Sequence, residues 1–290
     1  MIGKSLLLLW TSVTAYAFPV VQPHLTQQRW LLVRRGMATA AVDNRMESTY
    51  MDLSERAISN AVGLPVGEQY WVAIVGGPGA GKSTLAEGVQ RCTAARGVSS
   101  VVIPMDGFHF SRAELKRLDP PEAATLLPRR GSPPTFDAES LVEELKAARA
   151  DRTRSLPTYS RKLSDPVCGG VELRPEHRIV FVEGNYLLIG ALRANGDLLT
   201  DAERTEVARW APLLELFDDT WFVAPPGGVT EQRRRLVTRH LGTWSEAKTL
   251  AWSAASAAEG AEKRTDFNDV PNAHFVEQCR GFADVAVSSI

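Results

Sequence analysis

The chain has little of what would mark it as a special class of protein. Its three cysteines in 290 residues, Cys92, Cys168 and Cys279, lie far apart and show neither metal-ligand nor C-x-x-C spacing. A disulfide framework and a structural zinc site are therefore not expected, and the thiols read as reduced and packed, Cys92 and Cys279 within helix-like segments. His109 and His240 are single histidines without partners at metal spacing. A net charge of either sign is also lacking: 33 basic residues face 34 acidic ones. Residues 1–48 hold five of the basic and two of the acidic residues, which leaves a body of 28 against 32. A slightly acidic body offers no basic face, so a nucleic-acid partner is not expected. No apolar run reaches the roughly 20 residues of a membrane span, and no membrane association of the mature form is expected. No internal repeat or low-complexity tract occurs beyond some alanine enrichment.

What the chain does have is Gly76-Gly77-Pro78-Gly79-Ala80-Gly81-Lys82-Ser83, a complete G-x-x-x-x-G-K-[ST] pattern. An apolar run, Tyr70 to Val75, precedes it, and a helix-like segment, Thr84 to Arg96, follows. Glycines let backbone N–H groups turn inward around phosphate oxygens, and the N-terminus of the next helix adds its positive dipole end at the same place. Lys82 is then expected on the β- and γ-phosphates and the Ser83 hydroxyl on Mg²⁺, with Thr84 completing the loop. The stretch predicts a nucleoside-triphosphate site.

The rest of the chain alternates strand and helix signals. Val101 to Ile103, Ile179 to Val182, Thr220 to Val223 and Asp284 to Val287 read as strands; Met51 to Val62, Asp137 onward, Asp201 to Phe217, Val229 to Leu241 and Ser245 to Lys263 read as helices. Prolines at 120, 121, 128, 133 and 134 predict a loop over 119–136, and Pro157 with Asp165-Pro166 marks a second irregular stretch. Such alternation predicts an α/β fold, a three-layer P-loop NTPase fold with a mostly parallel sheet and helices on both faces. At 290 residues and 44% hydrophobic the chain can bury a sizeable core.

In open α/β sheets, ligands bind at the C-terminal ends of the strands. Two acidic residues are expected there. Asp106 follows Val101 to Ile103 and lies where a carboxylate could take the proton of an attacking hydroxyl; a simple turn aspartate is the other reading. Glu183 ends the strand Ile179 to Val182 and suits the second carboxylate on Mg²⁺, against a helix start or turn. Lys82, Asp106 and Glu183 are thus the candidate catalytic residues. Arg233, Arg234, Arg235 and Arg239 crowd one helix; three in a row cannot all face one way, so one or two are expected to reach a ligand from a lid around 229–263.

With the phosphate loop, Met105-Asp106-Gly107-Phe108-His109, Tyr159-Ser160 and Val182-Glu183-Gly184-Asn185 together, the chain resembles the phosphoribulokinase and uridine kinase family. The likeness is closer to bacterial-type pantothenate kinases and to the fungal and bacterial ATP-dependent kinases beside them. It covers about residues 50 to 290. The resemblance implies ATP and Mg²⁺ as cofactors, a small-molecule hydroxyl acceptor, Asp106 as base, and Arg235 as a lid arginine on the nucleotide. It also implies an acceptor pocket with His109, Tyr159 and Asn272. Arg161 stands where a pantothenate kinase has histidine after Tyr-Ser, and Arg129 and Arg130 offer further positive charge to an anionic or polyhydroxylated acceptor. A uridine or cytidine kinase and a phosphoribulokinase-like sugar kinase are the alternatives within the family, though the regulatory cysteine pair of plant phosphoribulokinases is not recognisable. An ATPase switch without an acceptor is the alternative outside it; a GTPase would need an Asn-Lys-x-Asp tetrad, which is missing. Kinases of the family are often homodimers, and the same is an expectation here.

The N-terminus carries a separate signal. Residues 1–17 read as a signal peptide, with Lys4, an apolar centre from Leu6 to Ala15, and Ala15-Tyr16-Ala17 as a cleavage site. Residues 18–48 follow as a disordered, transit-peptide-like segment whose stretch Phe18 to Val42 is basic and free of acidic residues. The pair resembles the bipartite presequence of algal plastids, with mitochondrial targeting as the alternative, and leaves 49–290 as the kinase domain.

Overall fold

The computed structural model describes residues 45–118 and 120–290, and of residues 45, 120–122 and 195–198 the backbone alone. The expected signal peptide and nearly all of the transit-like segment lie outside the described residues.

The central sheet contains β1 (Tyr70–Val75), β2 (Ser100–Pro104), β5 (Ile179–Gly184), β6 (Asp219–Ala224) and β7 (Val285–Ser288), while β3 (Arg154–Ser160) and β4 (Asp165–Leu173) form a hairpin of their own. The five central strands run in the order β2-β5-β1-β6-β7, every neighbouring pair parallel. The helices are α1 (Arg45–Val62), α2 (Lys82–Ala95), α3 (Arg112–Arg117), α4 (Pro120–Leu126), α5 (Ala138–Asp151), α6 (Asp201–Trp210), α7 (Gly228–Leu241), α8 (Glu246–Ala251), α9 (Ala257–Arg264) and α10 (Val270–Glu277).

All six residues of β1 are buried, as a strand covered on both faces must be. Alternation of side chains divides the strand between two cores. Val72 and Ile74 join Tyr50, Leu53, Leu85, Val89 and Trp221 on the face covered by α1 and α2. Trp71, Ala73 and Val75 join Ile103, Leu141, Leu145, Tyr186 and Trp210 on the other. The expected mostly parallel sheet with helices on both faces is what the chain forms.

Five local readings change. The loop read over 119–136 contains α4 and a 3-10 turn, Pro133–Thr135, because prolines at the first positions of a helix give up no needed backbone N–H. The stretch read as irregular around Pro157 and Pro166 is the β3–β4 hairpin, with a register shift between Leu156 and Thr158 that accommodates Pro157. Buried Leu156 and Leu173 tie it to the core, so packing overrides the turn chemistry. The helix read over Ser245 to Lys263 is two helices, because Ser245 and Ser256 each cap a new start by accepting from the backbone N–H three residues on, and Ser253 between them has φ +46°. The segment Asp201 to Phe217 is α6 followed by a 3-10 stretch, Ala211–Leu216. α1 begins at Arg45, three residues ahead of Ser48, where the folded composition starts.

Candidate active site

The loop Gly76 to Ser83 joins β1 to α2 as the motif requires. Gly76 passes so close to β6 that a Cβ would lie 2.3 Å from the Val223 carbonyl oxygen, and Gly79 and Gly81 hold φ of +78° and +95°. Those are conformations that L-residues with side chains rarely adopt. Gly77 lies against Ala273 of α10 and Gln232 of α7; Pro78 and Ala80 complete the turn, and Thr84 is exposed on the first turn of α2.

Lys82 Nζ spans the loop, donating to Gly77 O at 3.2 Å and Asn185 Oδ1 at 2.7 Å. Burial lowers its pKa, with Glu183 and then Asp106 opposing and Arg239 adding to the effect. Among the described residues no carboxylate is hydrogen-bonded to this ammonium, so its donors can turn to another anion. Ser83 Oγ donates to Glu183 Oε1 at 3.3 Å, which sets two hard oxygen donors side by side, a set suited to a hard divalent cation. Burial raises the pKa of Glu183, against the pull of Lys82.

Strand register explains why these groups meet. Glu183 pairs with Ile74 of β1 on one side and with Pro104 of β2 on the other. Asp106 follows β2 in a 3-10 turn, Met105–Phe108, and is exposed. Lys82 and Glu183 both feel its charge. The β3–β4 hairpin packs against the Asp106 turn. A Cβ on Gly107 would meet the Pro157 carbonyl oxygen at 2.4 Å, so the Asp106 turn and β3 are in direct contact. His109 stacks on Phe136 at 3.8 Å and on Tyr159 at 5.0 Å, and its Nδ1 lies 2.9 Å from Asp106 O. Lys82, Ser83, Asp106, His109, Tyr159 and Glu183 thus gather at one edge of the sheet, and Arg161 follows Ser160 at the exposed turn of the hairpin.

Other expected residues sit differently. Asn272 is buried and, with Asn268, supports the loop at 130–131: Asn272 Nδ2 donates to Gly131 O at 3.4 Å and Asn268 Nδ2 to Arg130 O at 2.9 Å. Arg130 is not available to a ligand, because it donates to Phe110 O, Tyr159 Oη, Ser164 O and Asp165 and lies 5.6 Å over the Tyr159 ring. Arg235 stands beside Gly81, paired with Glu231 at 2.9 Å and with Ser289 at 3.3 Å. Arg234 and Arg235 pull the Glu231 carboxyl down to about 2, and Arg233 is held by Asp266.

Two residues take a larger part than the sequence reading assigned them. Asn185, quoted only within its motif, receives the Lys82 ammonium. Arg239, on the same helix as the other three arginines, acts electrostatically on Lys82 and feels Asp106. A cavity of about 740 Å³ lined by Phe110, Leu115, Leu118, Leu126 and Arg209 is separate from this cleft and includes none of its charged residues.

The parallel sheet and its glycine loop define a P-loop nucleotide-binding fold. No family model matches the chain. A protein of Schizosaccharomyces pombe provisionally named a uridine kinase is 32% identical over 254 residues, covering 86% of this chain and 94% of that protein. An ATP-dependent kinase-like protein of Aspergillus versicolor is 32% identical over 142 residues, 47% of this chain and 71% of that protein. A crystal structure from Silicibacter sp. TM1040, provisionally described as a fructose transport system kinase, superposes with a TM-score of 0.64 at 27% identity, over 82% of this chain and 98% of that one. The chain belongs to the phosphoribulokinase and uridine kinase family of P-loop kinases.

Proposed function

We propose that the protein transfers the γ-phosphoryl group of ATP to a hydroxyl of a small metabolite. The observation that carries this is the convergence of Lys82, Asp106 and Glu183 on neighbouring strand ends, with Glu183 in register between the strands that lead to the other two.

Bound MgATP would supply the phosphoryl group and the metal charge that offsets its negative oxygens. The amides of Gly76 to Ser83 hold the phosphates, and Thr84 and the Arg235 guanidinium complete the nucleotide side. Lys82 moves from Gly77 O and Asn185 to the β- and γ-phosphates. Ser83 and Glu183 would hold Mg²⁺. Asp106 orients the acceptor hydroxyl and takes its proton, and His109, Tyr159 and Arg161 line the space before it while Asn272 holds the loop behind. Phosphoryl transfer needs little covalent chemistry from protein, so positioning and charge carry the rate. The name of the fission-yeast relative supports a nucleoside acceptor as the second reading.

The test is ADP release by the full-length protein with MgATP and a panel of sugars, sugar phosphates, nucleosides, pantothenate and glycerate. Acceptor-dependent ADP formation that is lost in Lys82→Ala supports the kinase. Turnover indifferent to every metabolite would replace it with an ATPase switch, and full activity in Lys82→Ala would end the argument from the phosphate loop.

A further inference from the structure

Two side chains of α7 are buried, Gln232 and Leu236. They are four residues apart and so share one face of the helix, which lies along the phosphate loop. Leu236 packs there as an apolar residue should: a Cβ on Gly79 would lie 3.0 Å from its Cγ. Gln232 is 1% exposed and meets the loop at Gly77, where a Cβ would lie 3.0 Å from Oε1 and equally close to Ala273 of α10. Gly77 is therefore in contact with both helices.

The amide of Gln232 has no partner. Oε1 is buried without a hydrogen bond, and Nε2 makes none among the described residues. A buried amide oxygen without a donor costs stability, whereas leucine or methionine would continue the apolar stripe of Leu236 at no such cost. Packing in the free protein thus gives no reason for glutamine at this position. Its neighbours on the loop are all engaged: Lys82 with Gly77 O and Asn185, Ser83 with Glu183, and Arg235 with Glu231 and Ser289.

A bound triphosphate changes what Gly77 offers. Its carbonyl accepts from Lys82 Nζ at 3.2 Å and from Ala80 N at 3.1 Å, which occupies both lone pairs. When Lys82 turns to the β- and γ-phosphates, one of them is vacated beside the Gln232 amide. The last torsion of glutamine is broad and roughly two-fold, so the two ends of the amide can exchange places within the same packing.

We propose that Gln232 is a positioning residue that registers a filled phosphate loop: as Lys82 leaves, the amide turns, Nε2 donates to the Gly77 carbonyl, and Oε1 gives up its unpaired position. α7, with the arginines it carries, is then fastened to the loaded loop by a bond that the empty loop does not offer. The proposal rests on the kinase reading above, because it needs a triphosphate in the loop.

The experiment uses the full-length protein with Gln232→Met and Gln232→Leu, which keep an apolar contact with Gly77 and remove the amide. Calorimetry gives the affinity for a non-hydrolysable Mg–ATP analogue, and thermal unfolding gives the midpoint of the free protein. One net hydrogen bond corresponds to about fivefold in affinity. Both variants are expected to bind the analogue about fivefold more weakly, while the midpoint of the free protein stays level or rises because the unpaired oxygen is gone. Affinities within about twofold of wild type would overturn the assignment and leave the kinase reading intact. A loss of affinity accompanied in both variants by a lower midpoint would overturn it as well, since that marks packing rather than a bond made on loading. A wild-type protein that takes no analogue would sink the kinase reading, and the role of Gln232 with it.

Discussion

Replacing Asp106 by asparagine separates chemistry from binding, because this side chain does nothing else that the fold depends on. It is exposed and makes no side-chain hydrogen bond among the described residues; only its backbone carbonyl is engaged, by His109. Asparagine has nearly the same shape, so the 3-10 turn and its contact with β3 should persist. What disappears is the basic oxygen facing the incoming hydroxyl. A positioned general base contributes about 10²- to 10⁴-fold, which at about 1.36 kcal/mol per decade is roughly 2.7–5.4 kcal/mol of barrier. Nucleotide affinity should be unchanged or tighter, because a negative charge near Lys82 and the phosphates has gone. The assay pairs kcat/KM for the acceptor that the wild-type protein turns over with titration of the ATP analogue. A variant with wild-type kcat/KM would remove Asp106 from the chemistry. One that loses the nucleotide would show a structural role instead.

Two further outcomes follow from the packing around the site. Asp219 at the start of β6 is 1% exposed and accepts from Arg56 at 2.6 and 3.0 Å and from Trp221 Nε1 at 2.9 Å. Asp219→Ala leaves a buried N–H and a half-buried guanidinium without their acceptor and should lower stability by about 3 kcal/mol; a loss under about 1 kcal/mol in denaturant titration would contradict this. His109 is held below its ordinary pKa of 6.5 by burial, against the attraction of Asp106 and its backbone carbonyl and of Asp165, with Arg130 acting in the same direction as burial. The unfolded chain therefore takes up this proton first as pH falls. Its contribution is complete above the unfolded value and declines below about pH 6.5 towards the folded pKa. Unfolding midpoints should drop between about pH 7 and pH 5, and His109→Phe should flatten that slope; parallel curves would refute the assignment.

Much of the site could be read from the sequence because a parallel sheet brings distant residues to one edge. Lys82, Asp106 and Glu183 each follow a short apolar run, and three parallel strands with adjacent C-terminal ends place them together wherever they lie in the chain. The β3–β4 hairpin was not legible in this way. Proline at 157 and 166 and glycine at 169 and 170 look like loop chemistry, and only the burial of Leu156 and Leu173 shows that the segment pairs with itself. The arginines were legible only as a group. Sequence places four of them on one helix, but Glu231, Asp266 and Ser289 decide which are bound, and those partners lie from one helical turn away to more than fifty residues along the chain.

The same reasoning explains why the acceptor side depends on segments far apart in sequence. Tyr186 leaves the end of β5 and donates to Gly131 O, the carbonyl that Asn272 also reaches from α10. Asn268 holds the neighbouring Arg130 O, and Asp269, next in the chain, is bound by His240 of α7 and by Arg264 of α9. One run of side chains therefore joins α7 and α9, the loop at 130–131 and the strand that carries Glu183. Because its polar members are buried and mutually satisfied, a shift in one segment leaves unpaired groups in the others, at a cost of about 1–3 kcal/mol each. A displacement of α7 relative to the loop at 129–131 would therefore break hydrogen bonds at both His240–Asp269 and Asn268–Arg130.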